Sequence, residues 1–279
     1  MQKSLRVGGV AFSTPDPDQI KPLLVDGMGA RPLPVTDLRS ETIQRRFAGA
    51  IDCPVEIHPF QLGNERIELI HCIQDSPPVS QDPGPSNTLW FQHIAIVVQD
   101  LNRAAEKISP WVTSISKGPQ ILPNGVGAYK FRDHAGHAME LLWFPAGMGD
   151  PRWHQDDSRL FLGIDHSAIA ISDSDLSLQF YLSQLSFKLR YASYNQGKEQ
   201  DRLDGLEDAR LAIHGVGGLS GMGIEFLRYI QPAPLSPTAS VLTPLDPLYA
   251  QILVYQPLQS LPKSSMRQDP DGHRLWIDS

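Results

Sequence analysis

The sequence predicts an α+β fold: two tandem domains, each a pair of β-α-β-β-β units, with the last unit shortened. Three observations carry that expectation. The stretch "IELIHCIQ" at 67–74 matches "IEFLRYIQ" at 224–231, so the second half of the chain reads as a diverged copy of the first. Each copy leads through a Pro/Ser-rich segment into an apolar strand, and the spacing agrees: 25 residues from Glu68 to His93, 26 from Glu225 to Gln251. The closing hairpins "FRDHAGHAMELLWF" (131–144) and "RQDPDGHRLWID" (267–278) also share one plan: an Asp, a turn centred on Gly, a His, then a strand.

Taken in order, "VGGVAFSTPDPDQIKPLL" (7–24) opens the first unit as a strand and a helix, with Pro-rich caps in place of a clean one. In "FQHIAIVVQDLNRAAEKI" (91–108) a strand of small and β-branched residues ends at Asp100, which can cap the following helix by accepting from its free amides. Alternating runs such as "GAYKF", the Gly turn and "HAMELLWF" complete that unit. "GIDHSAIAISDSDLSLQFYLSQL" (163–185) repeats the plan, with Asp173 as cap. The fourth unit starts near 249 and is cut short. His93 to Glu140 spans 47 residues and Gln251 to Trp276 only 25, so its helix is lost or reduced to "QPLQSLPKSS". The expected division is a first domain over 1–148, a linker over 149–161 within the polar "GMGDPRWHQDDSR", and a second domain over 162–279.

With 279 residues, 41% of them hydrophobic and 20% charged, the chain can bury a sizeable core. A net charge of −7 argues against a nucleic-acid surface, which needs a basic stripe. No apolar run approaches the roughly 18 residues needed to span a bilayer. The start "MQKSLRVGG" lacks the apolar core of a signal peptide. Two cysteines, Cys53 and Cys72, make no disulfide framework. The expected setting is a reducing cytoplasm.

Period-2 alternation in "HIAIVV" puts His93 on one face of its strand and Ile94, Ile96 and Val98 on the other, which should pack on the unit's helix. The same rule groups Glu68, Ile70 and Cys72, and groups Glu140, Leu142 and Phe144. Taken singly, each Glu reads as an Arg partner or a solvated edge residue, and His93 as a satisfied core imidazole. Together, carboxylates among apolar neighbours call for a cation, and a divalent metal would supply it.

At these residues the chain resembles the vicinal oxygen chelate superfamily, which includes glyoxalase I, extradiol dioxygenases and bleomycin-resistance proteins. The strands "HIAIVV" and "HSAIAI", each followed by Asp and a helix, and the "DPDGH" hairpin carry the resemblance, which covers nearly the whole chain. It implies incomplete barrels of two units each, with metal ligands on the first and last strand of every unit. On that basis the first domain offers Glu68, His93 and Glu140, with Gly9 in a position that cannot ligate. The second offers His166, Glu225 and Gln251, with Trp276 filling or flooring a pocket.

The implied activity is a metal-dependent enzyme acting on a small oxygen-rich molecule through Fe, Mn, Ni or Zn, with Glu68 or Glu140 as base. Isomerase, lyase and dioxygenase chemistry stay open, although only His166 of the usual dioxygenase triad is present. The alternative is a metal-free small-molecule binding protein of the bleomycin-resistance type, or a second domain that is purely structural. Tyr194, Asn195 and Gln200 could line the second pocket. "HGVGGLSGMG" (214–223) is Gly-rich but opens no helix, so a phosphate cradle is a weak reading. His134, His137 and His273 sit at hairpin turns. The resemblance also makes a homodimer an expectation.

Overall fold

The computed structural model describes residues 5–47, 51–74, 82–155, 158–236, 242–256 and 264–278. Its four units begin where the sequence places them. The first contributes β1 (Arg6–Ser13), β2 (Val55–Leu62) and β3 (Glu65–Cys72); the second β4 (Gln92–Val98), β5 (Gly127–Arg132) and β6 (Ala138–Trp143). The third contributes β7 (Phe161–Ala170), β8 (Lys188–Gln196), β9 (Arg210–Gly217) and β10 (Gly223–Gln231). The fourth keeps β11 (Ala250–Tyr255), β12 (Ser265–Gln268) and β13 (Arg274–Asp278). The stretch expected to hold the remnant of its helix lies largely outside the described residues.

Asp100 and Asp173 cap α3 (Leu101–Ile108) and α4 (Ser174–Leu178) as expected. Asp16 caps α1 (Pro17–Pro22) just as cleanly: it accepts from the Asp18 amide, with Pro17 in the first turn, where a missing N–H costs nothing. The remaining α-helices among the described residues are α2 (Ser40–Phe47) and α5 (Lys198–Asp204).

The strands form two open mixed sheets, and the partnership of units differs from the expected one. The first sheet runs β12-β13-β11-β1-β3-β2, combining units one and four; the second runs β8-β9-β10-β7-β4-β6-β5, combining units two and three. β1 pairs antiparallel with β11, and β4 with β7. Unit partnership is a long-range choice, because either neighbour can complete the free edge of a first strand. The polar segment after β6 is therefore a connection within one sheet. Trp153 in it is buried, and Arg152 bonds both Glu65 and the Ile164 carbonyl. The crossovers between sheets are the segments after β3 and β10, which meet at a Thr88–Leu235 bridge.

The convex faces and their helices share one core. Ile94, Ile96 and Val98 pack with Leu101, Ala104 and Ile108 of α3, beside Val10, Phe12, Ile67 and Leu69 of the other sheet. The closing hairpins fasten the sheets together. His273 Nε2 donates to the Ala170 carbonyl at the end of β7, and His137 Nε2 to the Ser13 carbonyl at the end of β1.

The concave face of the first sheet is filled by its own side chains. Phe47 packs there with Ile57, Ile70, Leu253 and Trp276. Arg46 enters beside it, donating from Nη2 to Glu68 at 2.7 Å and from Nε to Gln251 at 2.8 Å, with its guanidinium 5.7 Å from the Trp276 ring. Removing one partner of a buried pair leaves a charge uncompensated. Arg46→Ala should therefore cost roughly 3 kcal/mol in urea denaturation and not more, because Arg66 still holds the other Glu68 oxygen. A change within error would show that Glu68 does not need its cation.

His137 carries two protons, since Nδ1 donates to Asp133 at 2.7 Å while Nε2 faces the carbonyls of Ser13 and Pro247 at 2.8 Å each. Burial alone would lower its pKa; Asp133 and the carbonyls outweigh burial and raise it. A raised folded value stabilises fully below the unfolded value of about 6.5, and that contribution disappears as pH climbs through the folded value. The stability gap between wild type and His137→Gln should therefore narrow as pH is raised from about 6. A gap independent of pH would mean that this imidazole is neutral.

Candidate functional site

The site lies on the concave face of the second sheet, where the two first strands run side by side. In the β4/β7 register Ala168 faces His93 and Ala95 faces His166, so each imidazole has room above a methyl group. The register shifts between Ile164 and His166, a bulge that re-aims His166 and leaves Asp165 beside it. In the parallel neighbours, β6 sets Glu140 beside Ala95 and β10 sets Glu225 beside Ala168. Four side chains thus converge: His93 Nε2 is 3.2 Å from Glu140, His166 Nε2 is 3.4 Å from Glu225, and the imidazole centroids are 6.1 Å apart. Ligand atoms of His93, Glu140 and His166 all lie within 4.8 Å of one another.

The expected ligand sets are regrouped by this geometry. His93 and Glu140 meet His166 and Glu225, not Glu68; Glu68 and Gln251 belong to the first sheet, around Arg46. The strand positions assigned to each residue hold. Only the partnership of units was misplaced, and it moved one half of each set. Trp276 is buried over Arg46 in the filled half and does not line the cavity of the second sheet. Asn195 and Gln200 line the cavity of the second half and bond each other at 3.1 Å, whereas Tyr194 points outward, 53% exposed.

That cavity has a volume of about 850 Å³, with apolar walls that include Leu122, Leu142, Phe144 and Leu203. Three polar residues in it were not singled out from the sequence. Lys130, opposite Glu140 on β5, is buried and donates to Asp204 at 2.6 Å. Asp165 accepts from His166 Nδ1 at 3.0 Å, and the Tyr191 hydroxyl donates to Glu225 at 2.8 Å. A lysine in the otherwise apolar "GAYKF" was the available signal for the first. The bulge that gives Asp165 its role leaves none.

Burial works against every charge here, and the neighbours decide the outcome. Glu140 would be raised by burial, but Lys130 and then His93 bring it down to about 2. Glu225 would likewise be raised, but His166 and Tyr191 hold it below the usual carboxylate range. Burial lowers His93, and Glu140 does not fully offset it. His166 goes the other way: Glu225 and Asp165 outweigh burial and raise it well above an ordinary histidine.

This donor set suits a divalent cation. Two imidazoles and two carboxylates are an ordinary transition-metal environment, and Asp165 on Nδ1 orients His166 so that Nε2 faces the cluster. That Nε2 is buried without a hydrogen-bond partner. A second group of possible ligands, Glu56, His58 and His71, lies partly exposed on the opposite face of the first sheet.

No protein-family model matches the sequence, and no curated protein matches it. Solved structures do. Glyoxalase I from Zea mays is similar over 99% of this chain and 92% of that chain, with a TM-score of 0.61 at 14% identity. A mutant of the same maize protein gives 0.60 at 15%, over 99% and 94%. A putative dioxygenase from Bacillus subtilis gives 0.56 at 12%, over 99% and 86%. No helix among the described residues is long and apolar enough to cross a membrane. With four β-α-β-β-β-like units in two open mixed sheets, matched along almost its full length by these structures, the chain has the vicinal oxygen chelate fold.

Proposed function

We propose that the protein is a metal-dependent enzyme of the vicinal oxygen chelate type. It would act on a small oxygen-rich molecule in the second-sheet cavity, with His93, Glu140, His166 and Glu225 holding the metal. One observation carries this reading: ligand atoms of His93, Glu140 and His166 lie within 4.8 Å of one another, with Glu225 3.4 Å from His166, at an open cavity. A bound Mn, Fe, Ni or Zn ion would act as a Lewis acid toward two adjacent substrate oxygens.

The protein's own groups divide the remaining work. Lys130 keeps Glu140 ionised, and a carboxylate held near 2 is a poor proton acceptor. Glu225 is better placed as the base. Its side chain is 14% exposed against 7% for Glu140, and the Tyr191 hydroxyl can steady the oxygen that does not take the proton. The apolar walls thin the water around the reacting oxygens. The first sheet would be a structural partner, its cation supplied by Arg46. Both cysteines are free thiols, which suits a reducing cytoplasm.

The second reading, a metal-free binding protein, draws on one feature. His166 as an imidazolium, between Asp165 and Glu225, gives both carboxylates a cationic partner without a metal.

Elemental analysis after reconstitution decides between them. About one equivalent should remain in wild type and in Glu68→Ala and His58→Ala, and be lost in Glu140→Ala and His166→Ala. Asp165→Asn, which removes the brace on His166, should weaken binding by about 10–100-fold. Metal retained in His166→Ala would overturn the assignment of the metal to this cluster, and none bound by any form would sink the enzyme reading and leave the binding protein.

A further inference from the structure

The glycine-rich stretch 214–223 has a use in the structure, and it concerns the substrate. β8 is an edge strand whose register against β9 shifts between Leu189 and Tyr191. In a regular strand Arg190 and Tyr191 would point to opposite faces. The bulge brings both side chains to the cavity. They lie across β9 where side chains would otherwise stand. A Cβ on Gly215 would come within 2.3 Å of the Tyr191 ring, and one on Gly217 within 2.4 Å of Arg190 Cζ. A Cβ on Gly223 would lie 3.3 Å from His166 Cβ and 3.7 Å from Arg190 Nη1, so the guanidinium and the base of the His166 side chain flank that glycine. The glycines are the trough in which Arg190 and Tyr191 lie, and through it the Tyr191 hydroxyl reaches Glu225.

Arg190 differs from the other cations of this cavity. Lys130 is paired with Asp204 at 2.6 Å and Arg152 with Glu65 at 2.7 Å. Arg190 donates to the Gly218 carbonyl at 3.2 Å and has no carboxylate partner among the described residues. Its fork of N–H groups is therefore available beside His166, and a guanidinium is suited to take a carboxylate through two parallel hydrogen bonds.

We propose that Arg190 binds a carboxylate of the substrate. The substrate class is then a small organic acid whose neighbouring oxygens reach the His/Glu cluster, with an apolar body against Leu142 and Leu203. The inference rests on the metal-centre reading for the position of those oxygens, but not for the carboxylate contact itself.

The test compares two ligands on the zinc-loaded protein by calorimetry. Acetohydroxamate carries the chelating head alone; succinomonohydroxamate carries the same head and a carboxylate two methylenes away. The carboxylated ligand should bind about 10–100-fold more tightly, as a hydrogen bond to a charged group allows. Arg190→Gln should abolish that preference, and Gly217→Ala, which crowds the guanidinium, should reduce it. Equal affinities in wild type, or a preference that survives in Arg190→Gln, overturn the proposal. If neither hydroxamate binds, the metal reading has failed, and glutarate on the metal-free protein decides. A glutarate-induced rise in melting temperature that is lost in Arg190→Gln supports the carboxylate site, and no rise overturns it.

Discussion

The site depends on one strand pairing, the antiparallel junction of β4 with β7. It sets His93 opposite Ala168 and His166 opposite Ala95, and so turns residues from two units toward one point. Side chains alternate with period 2, so a slip of one residue would send one imidazole into the convex core. The isoleucines and valine between the cavity-facing positions of β4 hold that register: Ile94, Ile96 and Val98 are buried against α3. The hydrophobic core on one face of the sheet thereby fixes the polar cluster on the other.

The two sheets solve one electrostatic problem in different ways. Each carries a carboxylate on the last strand of a unit, Glu68 on β3 beside Ala11 and Glu225 on β10 beside Ala168, where burial penalises the charge. In the first sheet the chain supplies the cation itself. Arg46 arrives from α2, bonds Glu68 and Gln251, and closes the concavity with Phe47 and Trp276. Gly9 and Trp276 suit that arrangement, because neither competes for the guanidinium as a ligand would. In the second sheet no arginine pairs with Glu140 or Glu225 among the described residues, α5 stands back with Gln200 and Leu203 at the wall, and the space stays open. Divergence at the equivalent positions converts a filled core into a cavity without altering the sheet.

The unit plan was legible because it is local. Strand alternation, Asp caps and Gly turns are written within a few residues of where they act, and each unit starts at its expected place. The strand positions of His93, Glu140, His166 and Glu225 were legible for the same reason. Their grouping was not, since the choice of partner for a first strand is settled by contacts more than sixty residues apart, as between Phe161 and Val98. Arg46 was illegible on the same ground: nothing around "IQRRFAG" announces a guanidinium bound for Glu68 and Gln251. Bulges hid the rest, because Asp165 and Arg190 reach the cavity only where strict alternation breaks.

The two glutamates of the cluster are ionised for different reasons, and this separates their chemistry. Glu140 is held down chiefly by Lys130, whose own charge is secured by Asp204 and is not taken up by the cluster. Glu225 is held down chiefly by His166, whose charge is a proton. Metal ligation by an imidazole requires that proton to leave. When it does, Glu140 keeps its cationic neighbour, while Glu225 loses its own and depends on whatever replaces the proton, with only the Tyr191 hydroxyl held constant. One carboxylate is therefore a fixed charge and the other a responsive one. That difference is what a site would need if it both held a cation and moved a proton.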